Sequence, residues 1–259
     1  MSATLCRIKD ITVGEERPRV CVPLTGTTAE EMKKQADLIR SACLRGVTID
    51  LLEIRADFLK QPENTDEIAG IMEMLREMFP EKGLLFTLRS REEGGKISQA
   101  EIPPILSRII DAKLADAVDI EMSLGDDRCR SLIGAAHDAG IAALLSNHDF
   151  DATPATLEIV ERLRHMQELG ADIAKLAAMP ETKQDVLRLM EATVIMHEKY
   201  ARIPIVTMSM GRLGAMTRIT GEITGSAITF ASVGEGSAPG QLPIEMLASA
   251  LDFMSEYKG

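Results

Sequence analysis

From residue 19 to the end of the chain, short apolar runs alternate with longer amphipathic stretches. The short runs predict strands at 19–23, 48–54, 83–88, 117–121, 141–146, 172–177, 203–208 and 226–231. The stretches at 28–45, 65–79, 98–113, 154–169, 181–200 and 242–256 predict helices, several opened by Thr, Ser or Asp followed by early acids. Thr153-Pro154 reads as a helix cap followed by proline in the first turn. Strand starts recur at roughly 25 to 35 residues, the size of a βα unit in a parallel sheet. Eight such units predict an α/β fold, a single (β/α)8 TIM barrel over residues 1–259, with residues 4–15 forming a small hairpin across the barrel floor. An open doubly wound sheet would use the same units, but the first βα turn, PLTGTTAEE, lacks the GxGxxG dinucleotide fingerprint.

Composition sharpens this expectation. A chain of 259 residues suits one α/β barrel better than two independent domains. Trp is absent and aromatics make up 3%, so the core is expected to consist of Val, Ile, Leu, Ala and Met, as in parallel sheets generally. The net charge of −11 is spread along the chain. Such a field repels nucleic acid and anionic membranes, and an anionic substrate would need its own cluster of arginines. A small-molecule partner is therefore expected, with neither nucleic acid nor membrane. Cys6, Cys21, Cys43 and Cys129 include no CxxC pair and no zinc spacing, which fits a reduced, cytoplasmic protein. The opening MSATLCRIKD lacks an apolar signal core, and no later segment approaches the roughly 18 apolar residues of a membrane span.

In a barrel, the C-terminal strand ends surround the open mouth and carry the chemistry. Glu53 and Arg55 end the second strand with period-two spacing, which points both to one face. Arg89 and Glu93-Gly94-Gly95 follow the third, Ser146-Asn147-His148-Asp149 ends the fifth, and Lys175 lies in the apolar run ADIAKLAAM of the sixth. The seventh leads to Met210 and Arg218, and the eighth to VGEGSAPGQ, with Ser237 and Gln241.

Each residue also has a plainer reading. Lys175 could pack its stem on apolar neighbours and send its amine to solvent, although a central barrel strand makes that escape hard. A cation is costly to bury there, which favours the neutral, nucleophilic amine. A lone His148 is as readily a structural residue, and it gains weight from a lysine on the next strand; Asp149 is expected to point the other way. A metal site is not expected, because His137, His165 and His197 fall in helix-like segments. Glu53 with Arg55, and Arg89 with Glu93, could be structural ion pairs at the rim, Arg218 an exposed helix arginine, and 232–241 a surface loop. Asp119 and Glu121 on the fourth strand have no assigned role at this point.

Taken together, LLEIRADFL, TLRSREEGG, SNHDF, GADIAKLAAMP, TMSMGRLGAMTRITG and GSAITFASVGEGSAPGQ occur in an order that resembles the type I 3-dehydroquinate dehydratases of aromatic amino-acid biosynthesis. The resemblance runs from the second strand to the chain end. It implies a cytoplasmic hydro-lyase, commonly a homodimer, that converts 3-dehydroquinate to 3-dehydroshikimate by Schiff-base syn elimination without cofactor or metal. Lys175 would form the Schiff base, His148 act as general acid and base, and Glu93 orient or polarise the histidine. Glu53, Arg55, Arg89, Met210, Arg218, Ser237 and Gln241 would contact the substrate. One departure is Pro23 on the first strand, where some members place a hydroxyl residue near the substrate. Two other functions share the pattern. A Schiff-base aldolase acting on sugar phosphates would want a phosphate site at the seventh and eighth strand ends. A noncatalytic ligand-binding barrel would need only the cavity.

Overall fold

The structure, a computed structural model, describes residues 5–15, 17–234 and 238–256. A hairpin of β1 (Cys6–Ile8) and β2 (Ile11–Val13) precedes β3 (Arg19–Leu24), α1 (Ala29–Leu44), β4 (Leu51–Arg55), α2 (Thr65–Met78), β5 (Gly83–Thr87), α3 (Ile102–Asp111) and β6 (Ala117–Glu121). Then come α4 (Asp126–Ala139), β7 (Ala142–Asp149), α5 (Thr156–Glu168), β8 (Ile173–Ala178), α6 (Lys183–Ile195), β9 (Ile205–Ser209), the short α7 (Gly221–Thr224), β10 (Ile228–Ser232), β11 (Leu242–Pro243) and α8 (Ile244–Glu256). Strands β3 to β10 are parallel in sequence order around one curled sheet, with β10 beside β3 and two-residue β11 on β10. The curl closes where Ala227 N–H donates to Ile205 O at 2.7 Å, beside a bridge between Ile205 and Ser226. The chain is an eight-stranded (β/α) barrel.

Local sequence explains the helices. In α1, Thr28 caps the Glu31 N–H, and Met32, Ala36 and Ile39 form a buried stripe at helical spacing. These side chains meet the outward residues of the strands, such as Val22, Leu52 and Phe86, in a shell between sheet and helices. Inward positions obey period two. The lowest layer inside the barrel is apolar, from Cys21 and Leu51 through Leu144 and Ile173 to Ile228. Two residues further along their strands stand Glu53, Thr87, Asp119, Ser146 and Lys175, and two beyond that Arg55, Arg89, Glu121 and His148. The lumen thus turns polar only toward the C-terminal mouth.

Three sequence expectations need correction. Helix α4 was expected only as a helix-like segment around His137, without bounds; its DDRCRS start is strongly polar, and only the buried stripe Cys129, Leu132, Ile133 and Ala136 marks it. The predicted cap at Thr153 does not form. Helix α5 starts at Thr156 behind Ala155, because the Thr153 hydroxyl donates instead to Met179 O at 3.0 Å and ties the loop after β7 to the end of β8. Strand β7 also runs on to Asp149, three residues past the predicted end at 146, so His148 lies within the strand.

The hairpin seals the barrel floor: Cys6, Ile8 and Val13 join the lowest inward layer. Ile8 is 0% exposed, and a Cβ on Gly83 would stand 2.8 Å from its Cγ2, so the first residue of β5 has to be glycine for Ile8 to seat. Replacing Ile8 with Ala should lower the unfolding free energy by about 2 to 5 kcal/mol in urea titrations. Ligand affinity at the opposite end of the barrel should stay unchanged.

Candidate active site

The mouth of the barrel opens into a cavity of about 600 Å³, lined by Glu53, Arg55, Arg89, Glu93, His148, Phe150, Lys175, Met208, Met210, Arg218, Phe230 and Gln241, among others. Lys175 is 4% exposed, which rules out the reading in which its amine reaches bulk solvent. Its Nζ lies 3.2 Å from Asp119 Oδ2 and 4.6 Å from the centre of the Phe230 ring. The register places Ser146 of β7 beside Lys175 and His148 beside Ala177, so lysine and histidine share the inner face of adjacent strands, one layer apart.

Arg89 connects the two. Its guanidinium donates to Asp119 Oδ2 at 2.7 Å, to Glu121 Oε1 at 3.0 Å and to Ser146 Oγ at 2.9 Å, and lies 3.6 Å from Glu93 Oε2. Burial disfavours its charge, but Asp119, Glu121 and Glu93 outweigh burial and hold its pKa above the ordinary value. Asp119 shows the converse. Burial alone would raise its pKa, and Arg89 and Lys175, with a 2.6 Å hydrogen bond from Ser146 Oγ, hold it down at about 2.

Glu93 Oε2 faces His148 Nδ1 at 2.8 Å and also accepts the His148 backbone N–H at 3.0 Å. Burial pushes Glu93 up to about 7 against the pull of Arg89, with Glu121 and Asp119 adding to the rise. Burial also pushes His148 well below the usual imidazole range, helped by Arg89, Lys175 and Arg55. A proton bound to this pair belongs to both groups. The arrangement supplies an amine nucleophile and a proton carrier in one cavity.

The remaining predicted residues are placed as follows. Glu53 accepts from Thr87 Oγ1 at 2.8 Å. Arg55 pairs in two-pronged fashion with Asp57, at 2.8 and 2.9 Å, where the plainer reading had joined it to Glu53. Arg218 is 2% exposed, which removes the reading as an exposed helix arginine. Its partners among the described residues are the carbonyls of Phe230 at 3.4 Å and Pro239 at 3.2 Å and the Met208 sulfur at 3.9 Å, with none for its Nε, and burial lowers its pKa to about 10. Met210 and Gln241 line the cavity. Ser237 lies outside the described residues. Pro23 is buried in β3, registered against Glu53, and does not line the cavity. Asp149 turns away from the lumen to Arg162, at 3.3 Å.

Sequence reasoning named Asp119, Glu121, Ser146 and Phe150 without giving them a role, and it left out Phe230. The signal for the first two was present, because AVDIE carries its acids at the same period-two spacing that singled out Glu53 and Arg55. Among the described residues no group of three His, Cys, Asp or Glu side chains is arranged to hold a metal ion. No helix among them is long and apolar enough to cross a membrane.

Comparison with known proteins gives concordant results. A family profile described as Type I 3-dehydroquinase matches residues 20–258. The 3-dehydroquinate dehydratase of Bacillus licheniformis is 41% identical over 252 residues, 96% of this chain and 97% of that one. Among solved structures, the type I 3-dehydroquinate dehydratase of Clostridium difficile with covalently modified comenic acid superposes with a TM-score of 0.93 at 40% identity, covering 99% of this chain and 100% of that one. The 3-dehydroquinate dehydratase of Geobacillus kaustophilus gives 0.92 at 33% identity, covering 100% and 99%.

The depressed Asp119 has a consequence for acid stability. A carboxyl whose folded pKa lies below its unfolded value contributes stability above the unfolded value, and the contribution is lost as pH falls through the folded one. For Asp119 that window runs from about 3.8 down to about 2. Unfolding free energies of wild type and Asp119→Asn should therefore converge by about 2 kcal/mol as pH drops from 4 to 2. A constant gap across that range contradicts the assignment.

Proposed function

The chain belongs to the type I 3-dehydroquinase family, and from that premise we propose that it removes water from 3-dehydroquinate through a Schiff base on Lys175. The observation that carries this reading is the convergence of Lys175, the Glu93–His148 pair and Arg218 on one cavity. The substrate is a cyclic β-hydroxyketone carrying a carboxylate, and its C2 proton is too weakly acidic for a histidine to remove directly. Lys175 gives its ammonium proton to His148 and, as the neutral amine, attacks the ketone carbon; a proton passes from nitrogen to oxygen, and the carbinolamine loses its hydroxyl as water with the proton from His148, leaving an iminium. The iminium nitrogen then accepts the electron pair of the C2–H bond as His148 takes that proton. The resulting enamine expels the C1 hydroxyl, which leaves as water with the proton from His148. Hydrolysis of the conjugated iminium releases the enone and restores the amine. One histidine serving both the proton and the hydroxyl fits loss from a single face.

In this reading Glu93 holds His148 and balances the charge it gains. Glu53, Arg55, Arg89, Met210, Arg218, Ser237 and Gln241 form the substrate contacts. Both terminal nitrogens of Arg89 are engaged by the protein, so its part is chiefly to hold the site together. Arg218 takes the carboxylate, since a guanidinium matches it with two parallel hydrogen bonds. We extend the reading to a cytoplasmic homodimer, in keeping with four free cysteines and with exposed Ile223 and Phe253 on elements joined by the Ser255–Glu222 hydrogen bond.

The test is direct. Enone formation from 3-dehydroquinate, followed by ultraviolet absorbance, should be rapid, and borohydride added with substrate should trap an adduct on Lys175. Lys175→Ala should abolish both trapping and turnover; an adduct on another lysine, or no enone, defeats the reading. For the carboxylate, Arg218→Ala should cost roughly 2 to 5 kcal/mol in kcat/KM. Arg218→Lys keeps the charge but loses the planar fork and should still weaken binding. An analogue lacking the carboxylate should lose far less in both variants, and equal losses on the two substrates would give Arg218 a purely structural part.

A further inference from the structure

We propose that Ser123, itself held by Gln99, is a positioning residue that fixes Glu93 so that His148 presents a free Nε2 to the substrate. Ser123 lies in the turn Met122–Leu124 that follows β6, and it does not line the cavity. Its hydroxyl donates to Glu93 Oε1 at 2.8 Å, and Gln99 Nε2, from the turn ahead of α3, donates to the same hydroxyl at 2.9 Å. The inference rests on the proposed dehydratase reading for the meaning of Nε2, while the hydrogen-bond chain stands on geometry alone.

The direction of each proton follows. An amide nitrogen only donates, so the Ser123 oxygen accepts from Gln99 and its single proton goes to Glu93. The other carboxylate oxygen, Oε2, receives the His148 backbone N–H and faces Nδ1. Donors at both oxygens favour the ionised carboxylate against the burial that pushes Glu93 up to about 7, and when the carboxylate is ionised the site opposite Nδ1 is filled by a ring N–H. A neutral imidazole has one N–H, so Nε2 keeps its lone pair. Donation from Gln99 polarises the serine hydroxyl and strengthens its bond to the carboxylate. Without Ser123, Oε1 becomes a place where Glu93 can hold a proton, and the tautomer is no longer fixed.

Other titratable groups also face this pair. Arg89 stands beside Glu93 from the end of β5, Asp119 and Glu121 lie on β6, and Cys129 approaches from α4. Arg55 on β4 and Lys175 on β8 act on His148. All of them remain in a serine variant, so a comparison of variant with wild type isolates the one hydrogen bond.

Two measurements on the whole protein test the idea. Losing a donor raises the affinity of a carboxylate for its proton, so in Ser123→Ala the acid limb of the kcat profile should move up by roughly half to one pH unit. Ser123→Thr keeps the hydroxyl and should return the limb to its wild-type position. Nitrogen-15 NMR of labelled histidine should show His148 protonated at Nδ1 in wild type and Ser123→Thr, and a mixed tautomer in Ser123→Ala. The NMR result needs no turnover, so absence of dehydration defeats the function reading and leaves the tautomer test standing. An unmoved limb with an unchanged tautomer overturns the proposal. So does a uniform fall in kcat at every pH, which marks a packing role.

Discussion

Arg89 is a guanidinium enclosed at the centre of the barrel mouth, bound to Asp119, Glu121 and Ser146 and within 3.6 Å of Glu93. Taking such an ion out of water costs several kcal/mol, and each carboxylate around it carries a similar penalty. Only their mutual attraction, completed by hydrogen bonds to the remaining lone pairs, makes the cluster tolerable. Its two branches lead to the two halves of the proposed chemistry: through Asp119 to the Lys175 amine, and through Glu93 to the His148 ring. The arginine thus lets an amine and an imidazole stand in one low-dielectric cavity beside three carboxylates. Neutralising it would leave buried acids to take up protons, and both the lysine and the histidine would lose their orientation.

Such a cluster needs a dry foundation, which the lower barrel supplies. The apolar layer from Cys21 to Ile228, closed from beneath by Ile8 and Val13 of the hairpin, keeps solvent away from the floor of the site. It also needs a way to carry Glu93, which lies beyond the third barrel strand, back over the lumen to His148 on the fifth. The loop after Arg89 folds tightly enough for this because Gly95 N–H reaches Ser90 O at 2.6 Å and a Cβ on Gly95 would fall 2.0 Å from Arg89 O. The apolar base and the tightly folded rim are parts of one arrangement, in which packing below permits charge above.

Eight strands and their order could be read from the sequence because a strand buried on both faces leaves a short aliphatic run, and each of the eight did so. The inward positions of Glu53, Arg55, Lys175 and His148 followed from period two for the same reason. What the chain did not disclose was pairing across strands. The Arg55 partner is Asp57 in the next turn, and the Lys175 partner is Asp119, 56 positions earlier, on the strand two places round the barrel. Nothing in local spacing sets such contacts; barrel curvature and register do. The bounds of helix α4 and the Thr153 loop escaped for a different reason, since a polar start hides a four-residue apolar stripe, and a threonine cap is indistinguishable by sequence from a threonine bonded to a distant carbonyl.

The cations of the cavity differ in what they have left to offer. Arg55 is engaged by Asp57, Arg89 by Asp119 and Glu121, and Lys175 by Asp119. Among the described residues Arg218 is bound only by carbonyls and a methionine sulfur, with no hydrogen-bond partner for its Nε. A buried guanidinium without a counter-ion is unfavourable on its own and becomes favourable when an anion fills the place. In a chain of net charge −11, whose overall field opposes an anionic ligand, the proposed reading has this local imbalance decide where the anion goes. For the proposed substrate it sets polarity as well as affinity. In the proposed reading the carboxylate is drawn to Arg218, the ketone two ring positions away is turned toward Lys175, and the carbon between them faces His148.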